Sequence, residues 1–161
     1  LEEAKNQIND GNKMIGLTEV TGPGIILTIA DSDIDSSSVL DPSNFIIHDI
    51  DLLKVVNELK NAGAEAISIN DKRILNMTEL VDVNGVILIN EERIVSPYIV
   101  KAIGDQTYLS SAISLKTSGF IDSYTIMGKS VEMTKEKNIN IMAYNGKKNQ
   151  LQFKYAKEVE E

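Results

Sequence analysis

Residues 49–70, DIDLLKVVNELKNAGAEAISIN, contain the pattern that decides the fold. The apolar residues recur at helical spacing, which predicts a helix over residues 50–62 with one buried stripe. The stripe consists of Leu52, Val55, Val56 and Leu59. Asp49 is placed to cap the start of this helix, and Gly63 is placed to end it in the left-handed conformation. Residues 64–70 then predict a strand, so that helix, glycine and strand form the second half of a β-α-β unit.

The other predicted elements surround this unit. Its first strand is expected at residues 25–29, parallel to residues 64–70, after a turn at Thr21-Gly22-Pro23-Gly24. Asn-Gly pairs at residues 84–85 and 145–146 predict two hairpins, because both residue types tolerate positive φ. The remaining predictions are hairpin strands at residues 80–83, 86–89, 139–144 and 151–155, strands at residues 98–103 and 131–133, and a helix at residues 107–115.

The order of these elements predicts the fold class. It is β-α-β, a hairpin, a second β-α-β and a closing hairpin. Two such halves indicate an α+β domain, with ferredoxin-like β-α-β halves, helices on one face of a mixed sheet, and added hairpins.

Composition excludes several classes of function. The chain has 161 residues, no Cys, one His and a net charge of −8. The absence of Cys excludes disulfides, a thiolate nucleophile and cysteine metal sites. The acidic balance argues against nucleic acid as a partner, because nucleic-acid binding needs clustered Lys and Arg. No run of about 18 apolar residues is present, so this stretch contains no predicted membrane span.

The first residues form a separate unit. Leu1, Ala4, Ile8 and Ile15 lie on a heptad-like grid that Gly11 interrupts. The pattern is typical both of the last turns of a coiled coil and of a frayed terminal helix, and the residues leave both open. We expect residues 1–15 to be the end of an N-terminal helix or coiled coil, and residues 16–161 to form a single α+β domain. Because the chain begins with Leu rather than Met, we expect a fragment of a longer protein.

An acidic loop offers one alternative site. Asp31, Asp33 and Asp35 match the first ligand positions of an EF-hand calcium loop. Ser36 stands where that loop needs Gly, and Pro42 stands where it needs Glu. A solvated loop without metal is therefore the preferred interpretation, and a metal site at the three aspartates is the alternative.

Two ionisable side chains also stand out. His48, beside acidic residues, has the chemistry of a base or of half a metal site, but a position at the entry of a helix explains it more simply. Glu65 shares strand parity with apolar residues, which predicts that it points toward the core. A buried carboxylate needs a cation or several donors, and Arg73 and Lys101 are the available partners. A structural ion pair is favoured, with a ligand-binding acid as the alternative.

A longer stretch resembles a known family. Residues 51–70, followed by Arg73, resemble the signature of the YlxW/YlxX-like bacterial family (domain of unknown function 881). Gly22-Pro23-Gly24 is similar to the opening of the family's first strand, and residues 96–105, SPYIVKAIGD, are similar to its later strand-to-helix segment. Asp71-Lys72 departs from the Gly-containing turn that is commoner there, and residues 31–44 match nothing in the family.

The resemblance implies a location more than an activity. Members of the family, frequent in Gram-positive bacteria, carry an N-terminal transmembrane helix, a coiled coil and then this domain. The implied role is a non-enzymatic, extracytoplasmic domain of a membrane-anchored protein, acting as a scaffold in cell division or envelope assembly. The expected partners are envelope or division proteins, the membrane through an upstream helix, and a second copy through the N-terminal helix. Neither a cofactor nor nucleic acid is expected.

No catalytic residue is established for the family, so none is carried over. The residues that match its signature are the candidate ligand or partner surface on that ground alone: Asn57, Glu58, Glu65, Asn70 and Arg73. The alternative function is a regulatory domain that binds a small ligand through three of these side chains, Glu65, Asn70 and Arg73. A hydrolase ranks last, since no Ser, Thr or Asp is paired with a base at motif spacing.

Overall fold

The computed structural model describes residues 1–114, 128–147 and 152–160, and it confirms the predicted α+β class. Two single-turn 3-10 helices, Ser36–Ser38 and Pro42–Phe45, lie in the acidic loop. The helices are α1 (Glu2–Met14), α2 (Asp49–Asn61) and α3 (Gln106–Ser114). The strands are β1 (Val20–Ala30), β2 (Ala66–Ile69), β3 (Lys72–Arg73), β4 (Leu80–Val83), β5 (Val86–Ile89), β6 (Glu92–Ile94), β7 (Tyr98–Ile103) and β8 (Ser130–Ile141).

The main sheet has five strands in the order β3-β2-β7-β1-β8. Every pairing between its described strands is antiparallel, so the expectation of a mixed sheet is wrong. The strands β1 and β2 do run in the same direction, as predicted, but β7 lies between them and pairs with both. The connection through α2 therefore places β2 two positions away from β1, and the later strand β7 occupies the position between them. The ferredoxin-like description of this arrangement stays a prediction.

The helices α2 and α3 cover one face of this sheet, which we call the helix-covered face. The predicted stripe of α2 is buried there, together with Leu109 and Ile113 of α3 and alternate residues of β1, β2 and β7. Gly63 ends α2 with φ 87°, as predicted. The helix predicted at residues 107–115 is α3, and Leu115 lies outside the described residues.

The start of α2 differs from the prediction by one residue. His48 is the N-cap, and its backbone N–H donates to Asp51 Oδ2 at 2.8 Å. Asp49 is the first residue of the helix, and its Oδ2 accepts from the backbone N–H of Asp82 at 3.0 Å. Asp51 is buried as well, because its carboxylate turns back to the N-cap residue.

The segment predicted as a turn at residues 21–24 belongs to β1. Gly24 is needed where β1 pairs with β7, because a Cβ at this position would lie 1.8 Å from the carbonyl oxygen of Ala102. Between Gly22 and Gly24, β8 has one extra residue, which forms a β-bulge. An extra residue reverses the side-chain alternation. Ile139 and Ile141, which follow the bulge, therefore face away from α2 and α3, whereas Val131 and Met133 before it pack against the large cluster.

That opposite side, which we call the open face, has a much smaller cluster of buried apolar residues. Its buried members are Ala66, Ile103, Ile139 and Ile141. Ser68 also lies on this face, because it alternates along β2 with residues buried on the helix-covered face.

One predicted hairpin is confirmed and the other is wrong. The strands β4 and β5 pair through Asn84 and Gly85, which have φ of 54° and 81°, and β6 completes a three-stranded sheet. After β8 the described residues form no strand. The backbone N–H of Tyr144 donates to Gly16 O at 2.8 Å, so the chain leaves the sheet toward the end of α1. Phe153, expected on a half-buried strand, is exposed.

The predicted N-terminal helix is present as α1, and none of its residues is buried. Leu1, Ile8 and Ile15 are exposed to 111%, 64% and 51%. No helix among the described residues is both long and apolar enough to cross a membrane.

Candidate functional site

Of the five candidate surface residues, Arg73 is the one that the fold buries deeply, at 4% exposed. It pairs directly with Ser68 across β2 and β3, and directly opposed residues share a face, so it lies on the open face. Its Nη1 donates to Thr18 O at 3.0 Å and to Met142 O at 3.1 Å. The guanidinium therefore ties together the chain segments that precede β1 and follow β8.

The charge of Arg73 has no acidic partner within the described residues. None of the ion pairs found there includes it. Burial lowers the pKa of Arg73, since removal from water disfavours the charged form. An arginine nevertheless keeps its proton in proteins, so the site holds a buried positive charge.

Arg73 lines a cavity of about 420 Å³ at the edge of the main sheet. The end of α1, the end of α2, the start of β2 and the segment after β3 meet around it. Its apolar wall consists of Met14, Ile15, Ala64, Ala66, Ile67, Ile74, Leu75, Met77 and Phe153. Its polar side chains are Arg73, Lys60, Glu65 and Asn76. The combination of one buried cation with an apolar wall is typical of a small-molecule site.

Gly16 packs closely against the cavity lining on the side of α1. Its φ is 80°, and a Cβ there would lie 2.2 Å from Leu75 Cδ2 and 3.5 Å from Arg73 Nε. The backbone of Gly16 therefore packs directly on the side chains that line the cavity. Any larger residue would be strained and would displace Leu75.

The structure brings together two of the five signature residues. Glu65 and Arg73 line the same cavity. Glu65 is exposed, so the prediction that it points toward the core is wrong, and it forms no ion pair with either predicted partner. The strand begins at Ala66, which leaves Glu65 just outside it. Lys101 pairs instead with Asp71, with 3.3 Å between Nζ and Oδ1.

The other signature residues lie elsewhere. Asn70 has φ 47° in the turn between β2 and β3. It accepts from Ile99 N at 2.7 Å and donates to Val95 O at 3.1 Å, beside a second cavity of about 320 Å³. Asn57 and Glu58 lie on α2 and line neither cavity. Their part in a functional surface stays a prediction.

His48, the single histidine, is held from both sides. Its Nδ1 lies 2.8 Å from Asp82 Oδ2, and its Nε2 lies 2.8 Å from Ser43 O. The hydrogen bond with Asp82 raises the pKa of His48 and lowers the pKa of Asp82. With both nitrogens facing acceptors, the imidazole connects α2, β4 and the acidic loop rather than presenting a free base.

Two of the three loop aspartates accept backbone hydrogen bonds within residues 31–47. Asp31 Oδ1 accepts from Ile47 N at 2.7 Å, and Asp35 Oδ1 accepts from Ser37 N at 2.9 Å and caps the first 3-10 helix. Among the residues with described positions, no three acidic, His or Cys side chains converge into a group that could hold a metal ion.

The sequence reasoning missed most of the cavity. The sequence pattern predicts Lys60 only as a residue of the helix at residues 50–62, and it predicts no element for the segment from Ile74 to Met77, although both line the cavity. The available signal was Gly16, which follows an apolar residue at the end of a predicted helix and is typical of a helix terminus. It could have located the end of α1, but nothing local shows that α1 meets β2 and β3.

Comparisons with known proteins agree on a family without an assigned activity. A family model described as "Bacterial protein of unknown function (DUF881)" matches residues 7–157. The UPF0749 protein YlxX of Bacillus subtilis is 33% identical over 87% of this chain and 59% of its own length. The UPF0749 protein YlxW of the same organism is 28% identical over 86% of this chain and 61% of its own length. The chain thus spans about three fifths of these relatives.

A solved structure is also similar. It is described as the crystal structure of an uncharacterized conserved protein from Mycobacterium tuberculosis. The match has a TM-score of 0.72 and 26% identity, and it covers 95% of this chain and 99% of that one. The fold is therefore shared with a Mycobacterium protein, and sequence relatives are found in both Bacillus and Mycobacterium.

Proposed function

Because the chain belongs to the DUF881 family of bacterial proteins of unknown function, we propose that it is a non-enzymatic assembly module. In this proposal an N-terminal anchor holds the domain on the outer side of the cell membrane. There it serves as a scaffold in cell division or envelope assembly. Its contact with a second copy of the protein is made by α1 and the helix that continues it upstream.

The exposure of α1 carries this proposal. Leu1, Ile8 and Ile15 recur every seven residues and are at least half exposed. None of the three belongs to the buried clusters of the described residues, although Ile15 also lines the cavity beside Arg73. A helix gains little stability alone, and an apolar stripe at this spacing is stabilised when it packs against another helix. Gly11 breaks the stripe, so α1 by itself supplies only a weak contact. The curated relatives are longer than this chain, which leaves room for a longer helix before α1.

The geometry of His48 supports a role without catalysis. A general base needs a nitrogen within reach of a substrate proton. Both nitrogens of the single histidine contact acceptors within the fold. A hydrolase that depends on this histidine is therefore disfavoured.

Cysteine cross-linking tests the contact through α1. These 161 residues contain no Cys, so a single introduced thiol reports one position once any Cys elsewhere in the full-length protein is replaced by Ser. In the full-length protein, Ile8→Cys places the thiol on the heptad stripe. Asn6→Cys places it two residues away, on the face of α1 that points away from the stripe. We expect oxidation to give a covalent dimer with Ile8→Cys and at least tenfold less with Asn6→Cys. Equal dimer yields, or none with Ile8→Cys, would contradict self-association through α1.

Labelling in intact cells tests the location. Leu40 is fully exposed in the acidic loop, so Leu40→Cys is accessible to a thiol reagent without disturbing the fold. With the full-length protein in its native host, a membrane-impermeant maleimide should label this Cys before lysis. Labelling only after lysis would place the domain inside the cell and overturn the proposed location.

Recovery of partners tests the assembly role. We expect pull-down of the full-length protein from native membranes to recover envelope or division proteins, and a fluorescent fusion to gather at division sites. Diffuse localisation together with the absence of any partner would count against a scaffold.

A further inference from the structure

We propose that the cavity beside Arg73 binds a small organic monocarboxylate, with the carboxylate on the guanidinium and the hydrocarbon part against the apolar wall. This site adjoins the contact through α1, because Ile15 belongs both to the heptad stripe and to the cavity wall. The two proposals are tested separately, since ligand binding is read at Arg73 and Leu75 and self-association is read at Ile8.

The buried charge is the first reason. A cation removed from water is unfavourable unless an anion or several hydrogen bonds compensate it. The Nη1 atom of Arg73 binds two carbonyls, of Thr18 and Met142, and these supply no negative charge. A guanidinium has five N–H donors, so capacity remains for a ligand. A planar carboxylate matches the fork of an arginine and supplies the missing negative charge.

The apolar wall is the second reason. Met14, Ile67 and Leu75 are among the side chains that surround the space next to the guanidinium. An inorganic anion would leave this wall in contact with water, whereas a hydrocarbon chain would cover it and gain from burial. A volume of about 420 Å³ lies within the range of small-molecule sites. The occupant that satisfies both parts is a carboxylate with a short hydrocarbon body.

The remaining charges limit the ligand to a single negative charge. Lys60 and Glu65 both line the cavity and carry opposite charges. Both side chains are exposed to solvent, which leaves Arg73 as the buried charge of the cavity. A dicarboxylate would bring its second negative charge against the apolar wall, because the other lining cation, Lys60, is exposed to solvent. We therefore expect monocarboxylates to be preferred over dicarboxylates.

Thermal unfolding with defined probes tests the proposal. Hexanoate carries the charge and the hydrocarbon, 1-hexanol keeps only the hydrocarbon, acetate keeps only the charge, and adipate adds a second charge. A ligand that binds only the native state raises Tm. At millimolar concentration we expect hexanoate to raise Tm by about 3 °C, and each of the other three probes to raise it by less than a third of that shift.

Two variants separate the cavity from other binding surfaces. Leu75→Trp fills the cavity without touching the bonds of Arg73 to the carbonyls, and it should abolish the hexanoate shift. Leu40→Trp adds the same side chain at an exposed position and should leave the shift unchanged. Arg73→Lys keeps the charge but not the fork, and it should weaken hexanoate binding at least fivefold by calorimetry. Variants that do not unfold cooperatively are replaced by Met77→Trp, which lines the same cavity.

Three results would overturn the proposal. The first is a wild-type protein that gives no shift with hexanoate. The second is a shift with 1-hexanol as large as that with hexanoate, which would show that the charge is irrelevant. The third is a hexanoate shift that survives in Leu75→Trp, which would place the binding elsewhere. The cross-linking result for α1 does not depend on any of these outcomes.

Discussion

The two faces of the five-stranded sheet differ in how many apolar side chains they bury and in how many polar groups they carry. The helix-covered face contributes to a cluster of nineteen buried apolar residues among those described. The open face has four such residues, and beside them lie the charged Arg73 and the hydroxyl of Ser68. Burial of apolar surface is the main source of stability. The helix-covered face therefore holds the fold together, while the open face, with the nearby cavity, retains groups that fit binding better than stability.

The largest expected effect compares matched truncations on the two faces. Ile25 is fully buried in the large cluster, and Ile139 is buried to nearly the same degree in the small one. Ile25→Ala should lower the free energy of unfolding by about 4 kcal/mol, and Ile139→Ala by about 2 kcal/mol. The difference is expected because the small cluster has fewer neighbours and relaxes more easily. Urea unfolding measures both, and equal losses would remove the distinction between the faces.

The next effect concerns the bonds of Arg73. Arg73→Met keeps a long side chain but removes the hydrogen bonds to Thr18 O and Met142 O. We expect a loss of about 2 kcal/mol, since two partly buried hydrogen bonds lose their charged donor. Lys72→Met, on the same strand, should change stability by less than about 0.5 kcal/mol, because Lys72 pairs with the exposed Glu92. A variant Arg73→Met as stable as the wild type would show that the buried charge offsets the value of its bonds.

A smaller effect depends on pH and lies outside both faces. The hydrogen bond with Asp82 raises the pKa of His48. The stabilisation that charged His48 provides is therefore complete below the ordinary pKa of about 6.5, and it is lost as the pH rises through the pKa of the folded state. The same hydrogen bond lowers the pKa of Asp82. The stabilisation that Asp82 provides is therefore complete above about pH 3.9, and it is lost as the pH falls through the pKa of the folded state. The pair therefore stabilises most between about pH 4 and pH 6.5.

Urea unfolding of wild type and His48→Gln tests this window. Between about pH 6 and pH 9, the wild type should lose about 1 kcal/mol more than the variant. Identical pH profiles for the two proteins would contradict a charged imidazole in the fold.

The smallest effect is a gain of stability on the open face. Ser68 is 1% exposed, and its Oγ has no hydrogen-bond partner in the described part of the chain. Ser68→Ala removes an uncompensated hydroxyl and should raise the free energy of unfolding by about 1 kcal/mol. Ser110→Ala serves as the control on α3, where the hydroxyl donates to Thr107 O at 3.2 Å, and it should not raise stability. Destabilisation by Ser68→Ala would mean that this hydroxyl has a stabilising role.

Local patterns were predicted well, and contacts between distant segments were not. The stripe of α2, its end at Gly63 and the first Asn-Gly hairpin depend on residues close in sequence, and all three are confirmed. The position of β7 between β1 and β2 is decided by pairing over about eighty residues, which no local period encodes. The prediction of a mixed sheet failed for this reason.

The errors at the site have the same origin. Glu65 was placed toward the core by counting alternation from residue 64, but the strand begins at Ala66. The second hairpin had the correct turn residues, yet the backbone N–H of Tyr144 donates to Gly16 O, and the described residues after β8 form no strand. Arg73 was selected from the signature, whereas its cavity is assembled from four separate segments and became visible only in the fold.

Hexanoate titration of the isotope-labelled protein by NMR tests directly whether the cavity beside Arg73, at the edge of the open face, is the binding site. We expect the amide signals of Gly16, Glu65 and Leu75, and the Nε–H signal of Arg73, to shift together and to saturate with one affinity. Signals of Leu27 and Leu59, buried on the helix-covered face, should remain in place. Shifts centred on the helix-covered face, or an unchanged Arg73 signal at saturation, would contradict the division of tasks between the two faces.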